Sequence, residues 1–104
     1  MEIRAAITKE KGSLAIEKVQ LAEPKATEVL VKIIASGICH TDAAGIHGFI
    51  PWITKYPMVF GHEGVGIVEQ VGSAVESLKP GDRVALTFPS CGTCSYCLSG
   101  APYA

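Results

Sequence analysis

Short runs in which apolar and polar residues alternate recur along this chain, and no stretch has the longer helical spacing needed for a helix that carries the chain between parallel strands. The runs are Glu2 to Thr8, Leu14 to Gln20, Glu28 to Ser36, Glu63 to Val71 and Arg83 to Phe88. In the third, Val29, Val31 and Ile33 fall on one face of an extended backbone. Turn signals separate the runs: Lys11-Gly12-Ser13, Pro24-Lys25, Gly72-Ser73 and Lys79-Pro80-Gly81-Asp82. In the last, Pro sets φ at the first turn position and Gly supplies a positive φ at the second. The pattern predicts an antiparallel, mainly β barrel or sandwich. One short helix is expected, capped at Thr41 or Asp42, carrying Ala43, Ala44 and Ile46 and ending near Gly48. From Pro89 onward the chain reads as a Cys-, Gly- and Ser-rich loop.

The chain has 104 residues, 48% of them hydrophobic. That is enough for one domain over 1–104 that buries roughly two thirds of its unfolded surface. Nine Lys plus Arg against ten Asp plus Glu leave a net charge of −1, with no basic run to neutralise a phosphate backbone. Nucleic acid is therefore not an expected partner. The longest apolar stretch, Val29 to Ile38, is interrupted by Lys32 and Ser36 and is too short to cross a bilayer. The Met1-Glu2-Ile3-Arg4 start lacks the basic-then-apolar order of a signal peptide. A soluble cytoplasmic protein with no membrane partner is expected. In that reducing setting the four cysteines, three of them between Cys91 and Cys97, read as metal ligands rather than as a disulfide framework.

Cys91-Gly-Thr-Cys94-Ser-Tyr-Cys97 places three thiols at equal spacing in a turn-rich segment, as a structural zinc site requires. Such zinc takes four ligands, and no Cys or His follows Cys97. The fourth comes from elsewhere or lies beyond Ala104. An iron–sulfur cluster shares the spacing, but Ala101-Pro102 stands where its next Cys-Pro belongs. A loop of reduced cysteines is the remaining reading.

Two further groups carry metal-binding side chains: Cys39-His40-Thr41-Asp42 after the third run, and Gly61-His62-Glu63-Gly64 opening the fourth. Each alone has a bland explanation. A Cys at a strand end is commonly a small core residue, and a His beside glycine is commonly a hydrogen-bonded surface or core group.

Taken together, the motifs resemble a known family over nearly the whole chain. Gly61-His62-Glu63 with Gly66, Gly72 and Val75 at their offsets resembles the glycine-histidine-glutamate signature of zinc-containing alcohol dehydrogenases of the medium-chain family. Gly37-Ile38-Cys39-His40-Thr41-Asp42 and Lys79-Pro80-Gly81-Asp82-Arg83-Val84 are similar to its flanking motifs. The resemblance implies a partly open GroES-like β-barrel with a short helix and a Cys-rich zinc loop. It implies that Cys39 and His62 bind a catalytic zinc, with Glu63 in or beside the coordination shell. Asp42 then orients the ligand His from behind, a role compatible with capping the helix. By the same resemblance Thr41 passes on the alcohol proton and His40 lies near the cofactor pyrophosphate. Cys91, Cys94 and Cys97 are three of four structural-zinc ligands, and the place of the fourth falls immediately after Ala104. Some members complete the proton relay with a His where this chain has Ala44; His47, three residues on, either substitutes or caps a loop.

The implied chemistry is oxidation of a small alcohol to an aldehyde or ketone, in which zinc acts as a Lewis acid and NAD(P) accepts hydride. Gly48-Phe49-Ile50-Pro51-Trp52-Ile53 could wall the substrate pocket, or form a surface loop or subunit contact. The nucleotide-binding domain has no counterpart here, because Gly64-Val65-Gly66 would place the third glycine of a dinucleotide fingerprint at Glu69. The expectation is a catalytic-domain part without turnover of its own, which self-associates through exposed apolar surface and strand edges. The competing reading is a non-catalytic zinc-binding or protein-interaction module.

Overall fold

The alternating runs form strands. A computed structural model describes residues 1–53, 55–87 and 93–100. Its strands are β1 (Glu2–Ile7), β2 (Ala15–Gln20), β3 (Val29–Gly37), β4 (Glu63–Val71) and β5 (Arg83–Ala85); its helices are α1 (His40–Ile46) and α2 (Ser95–Leu98). β1 and β2 form an antiparallel hairpin with Glu2 opposite Gln20 and Ile7 opposite Ala15. β3, β4 and β5 form a second antiparallel sheet with β4 in the middle. The two sheets do not close on each other, so the mainly β, partly open architecture expected from the sequence is what is found.

Three particulars differ. The register of β3 against β4 shifts between Ile33 and Ala35. A bulge of this kind resets which side chains share a face. Val29 and Val31 are half-buried as expected, but Ile33 and Ile34 are 49% and 61% exposed. β5 ends at Ala85 rather than Phe88, and Phe88 lies outside the described residues. Within the expected Cys-rich loop, Ser95–Leu98 makes a helical turn.

The turn before β5 has the chemistry its sequence announces. Gly81 has φ of 97°, and the Asp82 carboxylate accepts from the Lys79 N–H at 3.0 Å. Two glycines of the signature are explained by close approach. A Cβ on Gly66 would overlap the Lys32 carbonyl on β3, and one on Gly72 would overlap the carbonyls of Lys25 and Ala26.

Little is fully buried. Among the described residues, Ile7 and Val68 form the buried hydrophobic core. The chain exposes 7943 Å². A compact monomer of this mass exposes about 5600 Å² and its unfolded chain about 15,800 Å². Folding therefore buries about half of the surface, short of the two thirds expected. The hairpin is tied to the rest by a reciprocal bridge in which the Thr8 and Met58 amides each donate to the other's carbonyl at 2.9 Å, and by the Gly12 N–H on the Ile46 carbonyl at 2.7 Å. Thr8 itself is fully buried, and its hydroxyl has no hydrogen-bond partner. No described helix is long and apolar enough to cross a membrane.

Candidate metal centre

Cys39 follows the end of β3 and is the N-cap of α1, with extended backbone at φ −114° and ψ 173°. Neither Thr41 nor Asp42 is the cap. Asp42 is the third helical residue, and its carboxylate reaches back to accept the Cys39 N–H at 3.1 Å. An acid at this position satisfies a donor that the helix start leaves orphaned, which is why Asp42 serves the helix without capping it. The same carboxylate is buried and faces the second segment, its Oδ1 lying 3.7 Å from Nδ1 of His62. That is a close polar contact, too long for a hydrogen bond. It stands behind the imidazole, on the ring nitrogen opposite the one that meets the cysteine.

His62 enters from Gly61, whose φ of 130° is a backbone state that side chains rarely adopt. The ring places Nε2 3.5 Å from the Cys39 sulfur, bringing together groups 23 residues apart in the chain. Glu63 opens β4 opposite Gly37 and is exposed. One donor atom from each of Cys39, His62 and Glu63 lies within 4.8 Å of the others, the group of such side chains found among the described residues.

The donor set fits zinc. Two ligands of one tetrahedral zinc, a thiolate at about 2.3 Å and an imidazole at about 2.0–2.1 Å, stand about 3.6 Å apart, close to the separation seen here. The same separation lies within reach of a sulfur–imidazole hydrogen bond.

His40 and Thr41 occupy the first turn of α1, and both are exposed. His47 caps the other end of the helix and stacks on Phe49 with ring centroids 5.7 Å apart, so its observed contact is that of a loop cap. Beside the centre runs an open groove of about 480 Å³ lined by Ala35, Gly37, His62, Glu63, Val65 and Leu86. The slightly larger groove on the β3–β5 face, about 500 Å³ around Ile34, Val65, Ile67 and Val84, contains no metal donor and lies away from the chemistry. Gly48, Ile50, Pro51 and Ile53 line neither; they form a cleft with Lys9, Glu10, Lys11 and Tyr56.

In the cysteine-rich segment, Cys94 is the N-cap of α2, and its sulfur accepts the Cys97 N–H at 3.5 Å. Cys91 lies outside the described residues. Sequence reasoning missed this helical turn because its cap is a cysteine rather than one of the usual oxygen-bearing caps. It also missed the seat of Tyr56 and Phe60 against Gly45, where the Tyr56 hydroxyl donates to the Gly45 carbonyl at 3.2 Å. An aromatic residue near a glycine is a signal too common to single out.

Comparison with known proteins places this architecture. Residues 25–104 match the family model of the alcohol dehydrogenase GroES-like domain. The chain belongs to the medium-chain, zinc-containing alcohol dehydrogenase family, of which it presents the GroES-like domain. It is 51% identical over 92 residues to geraniol dehydrogenase of Castellaniella defragrans, covering 88% of this chain and 24% of that protein. The structure of benzyl alcohol dehydrogenase from Acinetobacter calcoaceticus superposes with a TM-score of 0.90 at 40% identity, covering 98% of this chain and 28% of that one. A Sinorhizobium meliloti protein described as a zinc-binding dehydrogenase and solved with NADP gives 0.83 at 36% identity, covering 98% and 30%. The chain thus spans about a quarter of the length of relatives such as the geraniol dehydrogenase. The expected pairing of zinc with a nicotinamide cofactor agrees with this family and with the NADP in the Sinorhizobium protein.

Proposed function

We propose that Cys39 and His62 are ligands of the catalytic zinc of an NAD(P)-dependent alcohol dehydrogenase that converts small alcohols to aldehydes or ketones. The observation that carries this reading is the 3.5 Å meeting of the Cys39 sulfur with His62 Nε2, with a Glu63 oxygen close by and Asp42 behind the ring. Zinc bound there supplies Lewis-acid polarisation of the alcohol oxygen. Asp42 fixes the ring orientation and tautomer so that Nε2 faces the metal. Glu63 offers a carboxylate in or beside the coordination shell. Thr41, two residues after Cys39 with an exposed side chain, hands on the proton that the alcohol releases. His40, at the first position of α1, neighbours the cofactor pyrophosphate. Cys94 and Cys97, with Cys91, hold the structural zinc; the Cys97 N–H on the Cys94 sulfur ties two of these residues into one helical turn.

Residues 1–104 carry part of the GroES-like domain, and the third catalytic ligand and the cofactor site belong to parts of the protein outside this span. Alone, the span turns over no alcohol. The test is elemental analysis for zinc together with an assay using NAD or NADP and geraniol, benzyl alcohol or ethanol. Zinc should be retained by the chain and lost in part on C39S or H62N, with no cofactor reduction by residues 1–104. Cofactor reduction above background, or zinc content indifferent to both substitutions, defeats the proposal.

One observation favours an interaction role beside the catalytic one. Ile34, Val65 and Ile67 are 61%, 45% and 37% exposed on one sheet, a patch that supports self-association of the isolated span. Sedimentation at high concentration checks it, and a strict monomer counts against it.

A further inference from the structure

The two proposed ligand segments must be held at a fixed distance, and besides the contacts of His62 itself one packing contact joins them. Gly45 is buried on α1, the helix that Cys39 caps. Phe60 immediately precedes Gly61 and His62. The Phe60 ring rests on the bare Cα of Gly45, so closely that an added Cβ would overlap the ring edge and lie 2.8 Å from Cδ1 and 3.0 Å from Cζ. The Tyr56 hydroxyl also donates to the Gly45 carbonyl at 3.2 Å.

We propose that Gly45 and Phe60 are positioning residues for the metal centre: the ring seated on the glycine sets the separation of Cys39 from His62. The inference rests on reading those two residues as ligands. The magnitudes favour it. Carbon atoms pack at about 3.5–4.0 Å, so one methyl group at Gly45 must displace the ring by about 1 Å. Metal–ligand distances in a credible zinc site fall within about 0.2 Å of their usual values. Between Phe60 and His62 lies a single residue, Gly61, so a shift of the Phe60 backbone reaches the imidazole with little chain to absorb it. The contact also explains why a glycine is needed inside a seven-residue helix, where it would otherwise weaken the helix by about 1 kcal/mol relative to alanine.

The test follows the ring nitrogens of His62 by NMR in the histidine-labelled chain as zinc is added against a competing chelator, alongside thermal melting. In the unsubstituted chain, zinc should shift the His62 Nε2 signal. Gly45→Ala should weaken zinc binding at His62 by about tenfold or more. The double variant G45A/F60L, which makes room for the methyl, should bind zinc more tightly than G45A. Tyr56→Phe, a milder change should G45A not fold, should lose about threefold in zinc affinity alongside only a small drop in melting temperature. Affinity unchanged in G45A or in Y56F overturns the inference, as does a double variant weaker than G45A, or affinity that merely follows melting temperature across the set. A His62 signal indifferent to zinc in the unsubstituted chain instead overturns the ligand assignment, and the inference with it.

Discussion

The Cys39–His62 centre and the Cys94–Cys97 turn carry metal-binding types of side chain on different scaffolds. At the first, the side chains come from segments 23 residues apart, and the carboxylate behind them is buried. At the second, cap, turn and acceptor all lie within Cys94 to Gly100, and every residue from Thr93 to Gly100 except Cys97 is exposed. The first geometry is a product of the fold; the second is a property of a few consecutive residues. A site assembled from distant segments can be disabled by a change far from its ligands, whereas a local one answers chiefly to its own residues.

The sharpest way to break this contrast is to remove a ligand. H62A should weaken zinc at the first centre by more than about 100-fold, exceeding what loss of a supporting residue costs, while leaving the α2 turn unchanged by NMR. Asp42 tests the supporting layer. D42N keeps an oxygen for the Cys39 N–H but removes the charge behind His62, and it should weaken zinc by about 10–100-fold. D42A should lose the same affinity and about 1 kcal/mol of stability besides, because the Cys39 N–H is orphaned. Chelator competition and thermal melting separate the two. C94S should loosen α2, read as faster amide exchange at Cys97, with no change in the His62 signal; a coupled change would mean that the two regions are not independent. Smallest of all, S99A removes the hydroxyl that donates to the Tyr96 carbonyl at 2.9 Å, an exposed bond, and should cost less than about 1 kcal/mol.

The same contrast shows what a sequence can say. Strand positions were legible because alternation follows from the two-residue period of an extended chain, and the Lys79–Asp82 turn because proline and glycine each force a backbone angle. Cys39, His62 and Glu63 were legible only as a joint motif. Nothing local announces that Cys39 meets His62, since the meeting depends on how β3, α1 and β4 are brought together. The irregular register at Ile33 was hidden for a related reason: a bulge is settled by pairing with β4, and neither strand shows it alone. The cap at Cys39 was misplaced because Thr41 and Asp42 have better cap chemistry. Asp42 instead contributes as the acid of the first turn. The expected burial was too large because it came from chain length alone, and the open sheets leave isoleucines and valines at the surface.

The reciprocal Thr8–Met58 bridge gives the fold a built-in gauge. Two amides from segments fifty residues apart close each other's hydrogen bonds, so neither can exchange with solvent until the hairpin lifts from the segment leading to His62. If that lifting is one cooperative opening, the Thr8 and Met58 amides exchange with the same free energy. That shared free energy would measure how strongly the docked hairpin is favoured over the undocked one.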